Sequence, residues 1–317
     1  MACNLPESAT PKSATIVDVT TRDGFQIISE WIPTEFKKSV LDTLVAAGVA
    51  SIEVSSFVSP KAVPQMADAT ELTEYMLENH PGAAFSVLVP NLRGAQNAVA
   101  AGANNVNYVI SASKAHNEAN IRRTHEESLA DLAAITEAYP DLRVNLAVAT
   151  TFGCPFSGVV PTAVTIGLIG EARKRGISSV TLADTIGVAN PLQVKSVLAS
   201  VRAAYPELEI RVHMHDTHGM GLANMAAALE QGISIFETAA GGLGGCPFAP
   251  GAAGNTATED TVNMLHRMGI QTGIDLEKYL KLVTLLKANL TAPLPGRFAA
   301  ARNFFEYCFF DPKEALG

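Results

Sequence analysis

Four times along this chain one short phrase recurs: a helical run ends, a glycine follows, and a strand-like run begins a few residues later. It stands as AAGVASIEV at 46–54, AAGANNVNYV at 100–109, KRGISSVTL at 174–182 and EQGISIFET at 230–238. A glycine just past a helix end takes the left-handed turn that other residues resist, so each phrase marks a helix stop and a strand start. The whole chain extends the pattern. Short apolar runs at 16–20, 51–55, 85–89, 106–110, 143–149, 179–183, 209–213 and 234–238 alternate with longer stretches of helical periodicity. One such stretch, 33–47, carries Phe36, Val40, Leu41, Leu44 and Val45 on one face. Strand and helix alternating through short connections predict a parallel sheet, and eight such units predict closure into a (β/α)₈ TIM barrel, an α/β fold. The rival is an open doubly wound sheet. Its dinucleotide-binding version is weakened because no Gly-x-Gly-x-x-Gly follows the first strand.

The 317 residues fit one barrel domain, which commonly takes roughly 250 residues. We expect a flexible leader over 1–15, a catalytic barrel over 16–290 with a clear last helix in IDLEKYLKLVTLLKANL, and a C-terminal extension over 291–317 that packs on the barrel or caps it. The extension carries the aromatic cluster Phe304, Phe305, Tyr307, Phe309 and Phe310. A formal charge of −8 without a basic run argues against nucleic acid. No run of 18 apolar residues predicts a membrane span. The first residues lack a signal-peptide core and the last match no retention address. Four scattered cysteines form neither a disulfide framework nor a CxxC pattern, and free thiols suit the cytoplasm.

Active sites of such barrels lie where the strands end. The first strand ends in Arg22-Asp23-Gly24, the second carries Glu53, the sixth ends in Asp184, the seventh in His213-Met214-His215, and the loop after the eighth reads GGLGGCPFAPGAAGN, ending on Asn255. Residues two apart on a strand face the same side, so His213 and His215 can face one ion. Imidazoles with a carboxylate and an amide oxygen suit a divalent cation: Mg²⁺ or Mn²⁺ first, Co²⁺ or Zn²⁺ next. A pair of hydrogen-bonded core histidines is the plainer alternative. Arg22 is either a rim salt bridge or a group that stabilises negative charge on oxygen. Glu53 and Asp184 can tether Arg22 or metal-bound water. Cys246 is either packing or, on its glycine-rich loop, a proton donor or acceptor above the substrate.

The phrases TTRDGFQ, SIEVSSFVSPKAVPQMAD, LADTIGVANP, VHMHDTHGMGLAN and AAGGLGGCPFAPGAAGNTATED together resemble the 3-hydroxy-3-methylglutaryl-CoA lyase family, within the DRE-TIM metallolyase superfamily. The resemblance covers about 16–290. The RDG and HxHD elements are superfamily-wide, whereas SFVSPK-x-VPQM and the GLGGCP loop belong more narrowly to the lyases. It implies that Asp23, His213, His215 and Asn255 hold the metal, that Arg22 stabilises an enolate, and that Cys246 is the loop cysteine. Glu53, Asp184 and Glu259 match active-site acids, and Asp23 or His213 would serve as the base. The implied reaction is retro-Claisen cleavage of an acyl-CoA to acetyl-CoA and a keto acid, with CoA as part of the substrate, by a homodimer.

Three departures bear on the acyl-CoA. Ile27-Ile28-Ser29 replaces the family's polar Asn-Glu-Lys run, Ala62 replaces a tryptophan, and Thr291 stands where an asparagine lies near CoA, with Asn289 close by. A citramalyl-CoA or longer-branched 3-hydroxyglutaryl-CoA lyase, a condensing synthase of the same superfamily and a non-enzymatic metal scaffold are the competing readings.

Overall fold

The computed structural model describes residues 11–245 and 254–301. Eight parallel strands close into a barrel in sequence order. They are β1 (Thr15–Asp18), β2 (Ser51–Ser56), β3 (Ala84–Val89), β4 (Asn105–Ser111), β5 (Arg143–Ala149), β6 (Ser179–Asp184), β7 (Glu209–Met214) and β8 (Ile235–Thr238). The order returns to its start because β1 pairs with β8, Ile16 opposite Phe236. Helices cover the outside, and the stretch read as 33–47 forms Thr34–Ala46. Its Val40, Leu41 and Leu44 join one buried cluster with Ile52 and Val54 of β2. Burying side chains of this size contributes roughly 1.5–3 kcal/mol each, so the layer between strands and helices dominates the stability. The open-sheet rival is excluded by the closed pairing. Among the described residues no helix is long and apolar enough to cross a membrane.

The repeated phrase works as its glycines require. Gly48, Gly102, Gly176 and Gly232 all have φ between +73° and +89°. Gly48 is the tightest: a Cβ there would lie 2.7 Å from the Gly273 carbonyl oxygen. Gly48→Ala is expected to cost about 1–3 kcal/mol through this strain. Thermal denaturation should then show Tm lowered by a few degrees, and an unchanged Tm would contradict the assignment.

Two boundaries differ from expectation. β1 stops at Asp18 rather than running to residue 20, because the Asp18 carboxylate accepts the Thr20 N–H at 2.9 Å and turns the chain. Residues Thr20–Gly24 then wind into a wide turn, closed by the Gly24 N–H on the Val19 carbonyl at 3.0 Å. Single wide turns of this kind are frequent at functional sites. The last residues of the stretch expected as a flexible leader are held to the barrel, since the Ala14 N–H donates to Gln271 and the Gln271 N–H to Lys12. Past β8, the helices Thr258–Arg267 and Leu276–Asn289 complete the outer layer. The start of the extension then packs back on the barrel rim. The Gly296 N–H donates to Gly241, and Asp260 accepts the N–H groups of Arg297 and Phe298. The aromatic cluster at 304–310 lies outside the described residues.

Candidate active site

The wide turn after β1 lifts Arg22 and Asp23 to the rim side by side. Arg22 donates through Nε to Glu53 of β2 and through Nη1 to Asp23. Glu53 is buried, so its charge is tolerable only with such partners. Across the mouth, β7 delivers His213, and His215 follows directly. Their Nε2 atoms are 3.1 Å apart. Asn255 comes from the far end of the glycine loop and is placed by backbone pairing, as an isolated bridge partner of His215. The flanking Asp216 N–H to Gly254 and Thr256 N–H to Met214 bonds, both 3.0 Å, fix it there.

Asn255 donates its amide to Asp23 at 2.8 Å and to the Leu243 carbonyl at 2.7 Å. Gly244 passes so close that a Cβ would collide with the Asn255 amide and sit 3.1 Å from Asp23. Side-chain donor atoms of Asp23, His213 and His215 all lie within 4.8 Å of one another. Burial opposes charge on Asp23, but Arg22, His213 and His215 outweigh it and hold its carboxyl down at about 2. Burial, with His213 adding to it, presses His215 down to about 4, which keeps the ring neutral and able to ligate.

A divalent cation fits this set. The Oδ1 atom of Asn255 and the Nδ1 of His215 are buried with no hydrogen-bond partner among the described residues. Two imidazole nitrogens also face each other across 3.1 Å. Polar atoms left without a partner are costly in a buried site unless a positive charge lies among them, and a cation would take up the Asn255 oxygen and the imidazole nitrogens that meet here.

The remaining expected residues separate. Glu53 tethers Arg22, whereas Asp184 does not. Its two oxygens accept the Val188 and Ala189 N–H groups at 3.0 and 2.9 Å, so it folds its own loop after β6. Glu259 accepts the Gly241 N–H at 3.0 Å beneath the glycine turn, and burial pushes its carboxyl up to about 7. Asn289 is exposed and bonds to Leu285 of its own helix, while Thr291 bonds to Glu30. Ile27 is 45% exposed. Cys246 lies outside the described residues.

One set of residues escaped the sequence reading. Glu237 of β8 meets His213 Nδ1 at 3.0 Å, and Asn107, Asn145 and Thr181 lie buried inside the barrel beside it. For all of them but Asn145 the signal was present in the repeated phrase. Glu53, Asn107, Thr181 and Glu237 each stand at the same offset after its glycine, where the strand turns a side chain inward.

The family model described as HMGL-like matches residues 13–286. The chain belongs to the HMGL-like family. A hydroxymethylglutaryl-CoA lyase of Bacillus subtilis is 42% identical over 289 residues, 90% of this chain and 96% of that one. The (R)-citramalyl-CoA lyase of Chloroflexus aurantiacus is 39% identical over 296 residues, covering 90% of this chain and 93% of its own. A solved HMG-CoA lyase from Acinetobacter baumannii, in complex with coenzyme A and 3-methylmalate, is 42% identical. It superposes with a TM-score of 0.89 over 95% of this chain and 98% of that chain. Barrel and family therefore agree for this HMGL-like chain, and the open-sheet alternative has no support in either.

Proposed function

We propose that this protein is a divalent-metal-dependent acyl-CoA lyase. It cleaves 3-hydroxy-3-methylglutaryl-CoA, or a close analogue, to acetyl-CoA and acetoacetate or the matching keto acid. The observation that carries the reading is the convergence of Asp23, His213, His215 and Asn255 beside the Arg22 guanidinium, in a chain so similar to lyases of this class. Those four residues would hold Mg²⁺ or Mn²⁺, which supplies Lewis acidity to hydroxyl and carboxylate oxygens. Arg22, fixed by Glu53 and Asp23, presents a permanent positive charge where the thioester oxygen becomes an enolate oxygen. The substrate hydroxyl proton leaves to an acceptor at this rim, where the Asp23 carboxylate is the group in place, the Nε2 lone pair of His213 being the one that would face the metal. Glu53 keeps the guanidinium from swinging into solvent, and Gly244 lets its backbone pass close to Asn255 and Asp23.

A citramalyl-CoA substrate is the second reading, favoured by a specific observation. The relative with that activity is nearly as similar as the hydroxymethylglutaryl-CoA lyases, and Ile27, Ala62 and Thr291 are the positions where the family resemblance implies a departure. Purified Mn²⁺-loaded protein should be offered 3-hydroxy-3-methylglutaryl-CoA, citramalyl-CoA and longer-branched analogues, with acetyl-CoA and keto acid measured by chromatography. Release of acetyl-CoA from one of them identifies the acyl chain. Failure with all of them, or net condensation of acetyl-CoA with a 2-oxo acid, would reject the lyase in favour of the synthase or scaffold readings.

Cys246 follows Gly244-Gly245 in the loop that returns to Asn255. As a proton-transfer group it is worth on the order of 10² in rate. Cys246→Ala should therefore lose about that factor in kcat with Mn²⁺ stoichiometry unchanged. Normal turnover in the variant would reduce the cysteine to packing.

A further inference from the structure

We propose that Glu237 is a positioning residue for the metal centre. It fixes His213 in the tautomer that leaves Nε2 free, and it is itself set by a hydrogen-bonded chain crossing the barrel interior from Arg22. This inference rests on the metal-centre reading above and deepens it.

The chain is continuous. Arg22 donates to one oxygen of Glu53, and Asn107 donates to the other at 2.6 Å. Asn145 donates to the Asn107 carbonyl oxygen at 3.0 Å and to the Thr181 hydroxyl, also at 3.0 Å. Thr181 then donates to Glu237 Oε1 at 2.6 Å, and Glu237 Oε2 meets His213 Nδ1 at 3.0 Å. Six strands contribute, β2 and β4 through β8, and Glu53, Asn107, Asn145, Thr181 and Glu237 are all buried.

The direction of the chain settles the last proton. A guanidinium only donates, and Glu53, ionised as its partner, only accepts. Asn107 therefore turns its NH₂ to Glu53 and its oxygen to Asn145. The Asn145 NH₂ in turn makes Thr181 an acceptor, and the threonine's own hydrogen goes to Glu237. The Glu237 carboxylate has no hydrogen to return, so the hydrogen on the last link belongs to His213 Nδ1. The Nε2 lone pair then faces His215 and Asp23, where a cation would sit.

Mere space-filling does not explain this arrangement. Branched aliphatic side chains normally fill such barrels. A buried polar chain is tolerable only when every member is satisfied, and it then holds each group in one orientation. Its two ends are the residue that would stabilise the enolate and a residue that would hold the metal.

The test uses the full chain with ¹⁵N-labelled histidine and two variants, Glu237→Gln and Thr181→Val. At a pH high enough for His213 to be neutral, the metal-free wild type should show it as the Nδ1–H tautomer by NMR. In Glu237→Gln that signature should be lost or mixed, and Mn²⁺ affinity measured by calorimetry should fall about 10–100-fold, as when the outer partner of a ligating histidine is removed. Thr181→Val, nearly isosteric and remote from the ion, should weaken Mn²⁺ by a smaller factor, about tenfold at most. It decides the question alone if Glu237→Gln does not fold. A wild-type Nε2–H tautomer, or wild-type tautomer and Mn²⁺ affinity in the folded variants, overturns the proposal. A wild type that binds no Mn²⁺ rejects the metal centre itself, while the tautomer measurement still decides the role of Glu237.

Discussion

Arg22→Gln is expected to lower kcat by about 10²–10³-fold while Mn²⁺ still binds. The factor is that of removing one preorganised donor from a developing oxyanion. Glutamine retains a hydrogen-bonding amide but not the charge. The enolate oxygen would lose its permanent cation, while Asp23, His213, His215 and Asn255 would all remain. The loss has a structural side too. Arg22 is the partner of both Glu53 and Asp23, and removing one member of a buried ion pair commonly costs 3–5 kcal/mol. The variant should therefore melt earlier as well as turn over slowly. Rates belong below its melting transition, with circular dichroism confirming the fold and calorimetry the bound Mn²⁺. Near-wild-type kcat in folded, metal-loaded Arg22→Gln would remove Arg22 from the chemistry.

His215→Ala is expected to show the complementary pattern. Metal affinities of about 10–16 kcal/mol in four-ligand structural sites imply roughly 3 kcal/mol per ligand, on the order of 10² in affinity. Activity should collapse at stoichiometric Mn²⁺ and return in part as Mn²⁺ is raised. The fold should survive, because the His215 ring satisfies no buried donor or acceptor that would be orphaned by its loss, apart from facing His213. Truncation also takes a partnerless Nδ1 out of the interior. Elemental analysis after dialysis reads the effect directly. Wild-type metal retention in the variant would strike His215 from the ligand set. Arg22→Gln failing in turnover and His215→Ala failing in retention would together separate the two jobs of this rim.

The residues differ in how visible those jobs are from the sequence. Asp23 and Arg22 announce themselves as adjacent charges at a strand end, and His213 and His215 through their spacing of two on a strand. Glu53 could be placed near them as a tether for Arg22 or metal-bound water, and Asp184 looked equivalent to it. The structure separates the two acids by what surrounds them. Glu53 finds a guanidinium, whereas Asp184 finds the backbone N–H groups of its own loop. Glu237 was hidden because a glutamate in an apolar strand phrase carries no sign of the histidine beside it, although its register opposite His213 in the sheet makes the contact unavoidable.

What the sequence determined by itself is periodic and local. The recurring glycine stops, the alternation of strand and helix and the count of eight units lead to a closed parallel barrel, because each follows from interactions within one turn or one βα unit. What only the tertiary structure decided is which side chains from distant units meet. Asn255 reaches His215 through backbone pairing across the mouth, and Arg22 reaches Glu237 through a chain of amides and a hydroxyl inside the barrel. Those meetings depend on strand register around the closed sheet and on the direction of each hydrogen bond, quantities that no stretch of residues holds until the barrel is shut.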